Sequence, residues 1–205
     1  MTQIHLKNIK KEEKKIEMLK NIKVTGNRCT FDLAKADVSL ANALRRSLIS
    51  DIETIAPYEI IVRKNTSCQP DEYIAHRISM IPFVYINDDS NDGENIEGKY
   101  LTLNVSDRTA TTKDFIGTAF RTSYDCDIIK LIDEQTLDIT VLFSKGYGRE
   151  HAKYSPTCAV GYEESVGNIN FSFESINSEN PIIHLKKALQ HMKHRLENVK
   201  IQVEK

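Results

Sequence analysis

The stretch SLANALRRSLISDIETIAPYEIIV, Ser39 to Val62, passes from a helical pattern into a strand, and its paired arginines raise the question of how the helix is used. Successive helical residues point about 100° apart, so Arg45 and Arg46 cannot share one face. With Leu40 set at zero, Ala41, Leu44, Leu48 and Ile52 fall between about 0° and 120° and form a core face. Arg45 lies at its edge, at about 140°, while Asn42, Arg46 and Glu53 gather at about 200–240° with Ile49 beside them. The helix is expected to pack on its own sheet. Arg46 is left to solvent, to a contact with Asn42, or to another protein, whose carboxylates or carbonyls its planar fork would hold. Asp37 or Ser39 is the expected N-cap.

Upstream, Ile16 to Leu33 reads as a hairpin, with Gly26-Asn27 between two β-rich runs. Lys10 to Lys15 is a charge run of solvated character. Downstream come a strand at Tyr58–Arg63 and a short helix from Asp71 that Pro82 ends. A polar loop over Ile86–Lys99 follows, then strands in YLTLNV, LDITVLF and NINFSFESI. GYGREHAKYSP reads as a loop, and a last helix follows Pro181. The fold class is α+β. Residues 16–65 and 165–205 are expected to form one discontinuous helix-on-sheet domain, interrupted by a β-rich insert over 66–164 and preceded by a flexible segment, 1–15.

The totals exclude several classes. The chain of 205 residues is 40% hydrophobic and 28% charged, enough to bury a core. A net charge of −1 argues against an autonomous nucleic-acid binder. No apolar run reaches the roughly 18–20 residues of a bilayer span, and the N-terminus lacks a secretory h-region. Cys29, Cys68, Cys126 and Cys158 are scattered without a CxxC pair, as expected of reduced thiols inside a cell.

In PIIHLKKALQHMKHRLENVKIQV, apolar residues fall at Ile182, Leu185, Leu189, Met192, Leu196, Val199 and Val203. That strict a/d spacing suits a partner helix better than the wider stripe of a helix lying on its own sheet. The chain offers no second helix of that length, so the partner helix is expected from another chain. His184, His191 and His194 lack the i, i+4 spacing of a helical zinc site and read as surface residues.

Three blocks, LANALRRSLISDIETIA (Leu40–Ala56), NTSCQPDEYIAHRISMIPF (Asn65–Phe83) and KGYGREHAKYSPTCAV (Lys145–Val160), resemble the RNA polymerase assembly subunits: bacterial alpha, its archaeal counterpart and the third-largest subunit of nuclear RNA polymerase II. They occur in the family's order, and with the last helix the likeness covers about Ile16 to Val203. The resemblance implies a dimerisation domain built from both chain ends and a β-rich insert. It implies pairing with a smaller subunit of related fold, the seam residues serving in dimerisation, to make a platform for the two large catalytic subunits. Asn42, Arg45 and Arg46 would then face a large subunit. Gly146, Gly148, His151 and Lys153 would form a second contact with the large subunits, the glycines permitting tight turns. Asp71, Glu72, His76 and Arg77 match a motif at the junction of the two domains.

No catalytic residue, cofactor or metal is expected. Cys126 stands nearly alone between Ile86 and Phe143, where some relatives carry a cysteine cluster. NDDSNDGE lacks the ligand pattern of a calcium loop, and no motif resembles the paired acids of a two-metal polymerase site. The bacterial DNA-binding C-terminal domain is absent from the sequence, so DNA would be met only through the assembled complex. This brevity fits a divergent lineage such as a large DNA virus. Such a chain would work inside a cell with the transcription machinery; nucleus, cytoplasm and virus factory are equally compatible. The competing readings are a homodimer, either alpha-like or a stand-alone coiled-coil adaptor, and a small hydrolase using His76 or His151 with a cysteine.

Overall fold

The computed structural model describes residues 18–86, 96, 98–165, 167–177 and 179–204. The charge run at 10–15, the hairpin's expected start at Ile16 and most of the polar loop lie outside these residues. The described fold is α+β, with two antiparallel four-stranded sheets, each over its own hydrophobic core.

The first sheet takes strands from both ends of the sequence. Its order is β1 (Leu19–Thr25), β2 (Arg28–Ala34), β12 (Asn168–Ser175), β11 (Thr157–Ser165). Gly26 and Asn27 make the β1–β2 turn, and Gly26 takes a φ of 59°, which suits a residue without Cβ. Strict alternation buries Cys29, Phe31 and Leu33 on β2 and Ile169, Phe171 and Phe173 on β12. Phe31 stacks on Phe171 with ring centroids 5.0 Å apart. Two helices, α1 (Val38–Ser50) and α3 (Pro181–Val203), close this core with Ala41, Leu44, Leu48, Leu185 and Ala188. Asp37 is the N-cap of α1, its carboxylate accepting from the Ser39 N–H and hydroxyl.

The second sheet has the order β3 (Glu53–Asn65), β10 (Thr136–Tyr147), β5 (Tyr100–Ser106), β7 (Phe115–Ile116). Leu101, Leu103 and Val105 on β5 and Leu137, Ile139, Val141 and Phe143 on β10 supply its buried face. A third helix, α2 (Asp71–Ser79), adds Ile74 and Ile78 to the same core. Two short pairs complete the unit: β4 (Phe83–Tyr85) with β8 (Phe120–Thr122), and β6 (Thr109–Thr111) with β9 (Asp127–Lys130).

The strand expected at Tyr58–Arg63 is twice as long, running from Glu53 to Asn65 through Pro57. A proline is tolerated there because β3 is an edge strand and Pro57 sits beside a bulge opposite Phe143. Its side chains Ile55, Ile60 and Val62 pack on the second core, whereas β11 pairs with β12 and belongs to the first sheet. The chain thus changes cores between Ile52 and Ile55, and again just before Thr157.

Candidate subunit interface

The last helix is divided along its length. Proline at its first position and the Asn180 side chain accepting from the Ile182 N–H start it. Its first half lies on the chain's own sheet, with Leu185 and Ala188 buried and Ile182 and Met192 half-buried. Within that half Leu189 is already 37% exposed, and beyond Met192 the seam emerges: Val199 is 56% exposed, Leu196 69% and Val203 80%. The reason is length. At about 1.5 Å per residue, α3 runs to about 35 Å against about 20 Å for α1, so its end outruns its support.

Between α1 and the emerging half of α3 lies an open groove of about 520 Å³, lined by Leu40, Ala43, Arg46, Met192, Leu196 and Val199 among others. Leu40, placed on the core face by the wheel, is 36% exposed and forms part of this lining. Arg46 opens onto the same groove. Arg45 does not: its guanidinium donates twice to Asn42 Oδ1, at 2.9 and 3.2 Å. The contact considered for Arg46 and Asn42 is therefore made by Arg45, which reaches Asn42 across one turn.

His184 corrects the reading of the helix histidines as surface residues. It is fully buried, with Nε2 2.9 Å from Asn177 Oδ1 and 3.1 Å from Ser175 Oγ. Its position one residue before Leu185 and four before Ala188 sets it on the face that meets the sheet. Burial holds its pKa below the usual histidine value, opposed by the Glu179 carboxylate 3.7 Å away. His191 is half-buried, with Nδ1 3.6 Å from Asp51 Oδ2.

The segment from Lys145 to Thr157 docks on the C-terminal end of α1. Gly146 and Tyr147 are still in β10; a turn through Glu150 and a 3-10 turn at Ala152–Tyr154 follow, where a plain loop was expected. The last carbonyls of α1 lack partners within the helix, and nothing in its own last turn is basic. Thr157 Oγ1 donates to the Leu48 carbonyl at 2.8 Å and Ser155 Oγ to that of Ile49 at 3.1 Å. The Arg149 N–H reaches the Ser50 carbonyl at 3.4 Å. Asp51 follows at once, only 9% exposed, where its charge adds to the negative end of the helix dipole. Arg195 at 3.4 Å and Arg149 at 3.8 Å offset it.

The two glycines of this segment serve close approach, not the tight turns expected of them. Neither has a positive φ. A Cβ on Gly148 would stand 2.2 Å from the Ile49 carbonyl oxygen, and one on Gly146 2.7 Å from the Tyr154 ring. His151 Nδ1 accepts from the Lys153 N–H at 3.1 Å, capping the 3-10 turn. Lys153 Nζ donates to the Pro57 carbonyl at 2.7 Å and lies over the Tyr154 ring. Gly146, Gly148, His151 and Lys153 are thus brought together as a brace between β3, β10 and α1.

The helix of the second motif lies apart from that brace. Asp71 Oδ1 accepts from Asn65 Nδ2 at 2.6 Å, at the end of β3 farthest from α1. Arg77 donates to the Asp127 carbonyl at 3.0 Å, and Glu72 and His76 are exposed. A cleft of about 270 Å³ between the two cores is lined by Thr54, Met80, Pro82, Asn177 and Lys187 among others, so α2 approaches it only through its C-cap, Met80. Among the described residues no three His, Cys, Asp or Glu side chains gather as a metal set, and no helix is long and apolar enough to cross a membrane.

Sequence reasoning missed Asp51, Ser155 and Thr157. A threonine and serine a few residues after KGYGREH carry no periodic signal, and an aspartate at a helix end reads as an ordinary cap.

Comparison with known proteins agrees with this geometry. A family described as the RNA polymerase Rpb3/Rpb11 dimerisation domain matches residues 30–196. DNA-directed RNA polymerase II subunit rpb3 of Dictyostelium discoideum is 30% identical over 174 residues, which is 71% of this chain and 57% of that protein. DNA-directed RNA polymerases IV and V subunit 3B of Arabidopsis thaliana is 34% identical over 166 residues, 64% of this chain and 52% of that protein. DNA-directed RNA polymerases I and III subunit rpac1 of D. discoideum is 30% identical over 184 residues, 74% and 52% respectively. The chain therefore spans about half the length of these curated relatives. Both four-stranded sheets and the helices α1, α2 and α3 fall wholly or largely within the matched span, and the chain belongs to the RNA polymerase Rpb3/Rpb11 dimerisation-domain family.

Proposed function

We propose that this chain is a non-catalytic assembly subunit of a multisubunit DNA-directed RNA polymerase, acting inside the cell with the transcription machinery. It pairs with a smaller subunit of related fold, and the pair is the platform for the two largest subunits. The first sheet with α1 and α3 is the dimerisation unit, and the second sheet is the insert. Ile182, Leu185 and Met192 seat α3, while Leu189, Leu196, Val199 and Val203 meet the partner. Asn42 and Arg45 on α1, and the segment with Gly146, Gly148, His151 and Lys153, face the large subunits, whereas Arg46, expected on that same face, opens onto the groove beside the pairing seam. Of the motif expected at the junction, Asp71 through Asn65 and Arg77 through the Asp127 carbonyl order the insert, while Glu72 and His76 stay exposed and only Met80 of the same helix reaches the cleft between the cores.

The observation that carries this reading is the apolar seam left open over the second half of α3 in a chain of this family. A row of leucine and valine at 56–80% exposure is costly in water and is relieved by a partner helix. The test is the solution mass of the chain alone and with the smaller related subunit of its polymerase. A 1:1 complex is expected, and Leu196→Asp should abolish it by placing a charge in the seam. A homodimer indifferent to that subunit would overturn the proposal in favour of an alpha-like or adaptor role. A monomer that ignores it would remove the role of the seam altogether.

A further inference from the structure

Resting on that reading, we propose that charge selects what occupies the α1–α3 face: a partner helix whose flank is acidic, and not a second copy of this chain. With Ile182, Leu189, Leu196 and Val203 as a positions, Lys186, Lys193 and Lys200 all fall at e. The g positions are Ala188, Arg195 and Gln202. Flanking e and g residues decide which helices pair, through the charges they bring together. Here one flank is a row of lysines and the other carries no acid.

The groove repeats the pattern. Arg46 enters it from α1, which contains Arg45 and Arg46 and no acidic residue, and Arg195 lines it from α3. Asp51 is the acid of the lining, and Arg149 and Arg195 already offset it. Within α3 the single acid, Glu197, lies outside the seam at b and pairs loosely with Lys193 at 3.8 Å. The two helices together carry six net positive charges in a chain whose net charge is −1. A twofold dimer sets a patch against its own copy. Across this face the seam would gain apolar contact while lysine met lysine or arginine, and Arg46 would enter a groove already holding Arg195. An acidic flank on a partner helix gains the same apolar contact with opposite charges aligned.

The triple variant Lys186→Glu/Lys193→Glu/Lys200→Glu supplies such a flank on an otherwise identical surface. All three lysines are exposed, so the variant should fold as the unaltered chain does, which circular dichroism verifies. Sedimentation is measured for each chain alone and for their mixture, at about 50 mM and about 500 mM salt, where the screening length falls from over 10 Å to under 5 Å. The unaltered chain should be monomeric at low salt, and the mixture should associate at least about tenfold more tightly than the unaltered chain does with itself. High salt should narrow that difference. A mixture no tighter than the unaltered chain alone overturns the selection by charge, as does a low-salt homodimer that salt does not affect. The assembly reading is tested separately: a complex with the smaller subunit that survives Leu196→Asp sinks that reading, whereas failure of the mixture alone sinks only the charge selection.

Discussion

Gly148→Ala is the sharpest perturbation of the brace on α1. The added methyl would lie 2.2 Å from the Ile49 carbonyl oxygen, where contacts under 3.0 Å are essentially never tolerated. Ile49 O belongs to the helix backbone and cannot rotate away, so the segment must retreat by nearly 1 Å. That retreat carries the Arg149 N–H, already 3.4 Å from the Ser50 carbonyl, out of hydrogen-bond range, and stretches the 3.1 Å bond from Ser155 Oγ to Ile49 O. Two bonds at about 1 kcal/mol each and about 1 kcal/mol of residual strain give about 3 kcal/mol. At about 2–4 °C per kcal/mol for a chain of this size, the melting temperature should fall by about 6–12 °C. Gly161→Ala is the control, because nothing lies within 4 Å of its new methyl and its φ is ordinary. It should melt within about 2 °C of the parent. Calorimetry of the three chains decides. A Gly148→Ala protein that melts with its parent, or a Gly161→Ala protein that falls as far, would refute the close-approach account.

Thr157→Val keeps shape but leaves the buried Leu48 carbonyl without its donor, and should cost about 1 kcal/mol, or about 2–4 °C, by the same calorimetry. His184 gives stability a pH dependence. The unfolded chain takes its proton near 6.5 and the folded chain only at lower pH, so this contribution is complete above about 6.5 and is lost as pH falls below it. His184→Gln, which keeps a donor towards Asn177, should flatten the melting curve between pH 7.5 and 5; parallel curves would show that His184 does not titrate with unfolding. Leu196→Asp should leave the isolated chain's melting temperature within about 2 °C, because the side chain is 69% exposed there, while it prevents pairing with the smaller subunit.

What could be read in the sequence depended on whether a residue's role is periodic. The β1–β2 hairpin, α1 and α3 are written in turn chemistry and in spacings of two or 3.6 residues, and they stand where those spacings put them. β11 was not legible. Its residues TCAVGYEES show no alternation, and Ala159, at a φ of 49°, marks a bulge that shifts its register against β12. The full length of β3 was hidden by Pro57. His184 lay among lysines and other histidines, and only the sheet beneath it decides that it is buried. In the brace, KGYGREH signalled a special backbone, but not that two glycines are narrow because a carbonyl and a ring press against them.

These features converge on the C-terminal end of α1, where the chain passes between its two cores. It leaves the helix through Asp51 and Ile52 into β3, and it returns from β10 through Gly148, Ser155 and Thr157 onto the carbonyls of the same helix turn. His191, at the end of the seated half of α3, and Arg195, one turn further on, come to Asp51 as well. One helix end therefore fixes the position of the insert core and the direction in which the open half of α3 leaves the sheet. Weak surface ion pairs would not hold that alignment, since Arg149 and Arg195 are more than half exposed and their distances to Asp51 are long. The hydrogen bonds from Ser155 and Thr157 to helix carbonyls, with Gly148 packed against the same turn, can hold it. Loss of the brace should accordingly loosen the orientation of the insert and of the pairing helix together, even where each core stays folded.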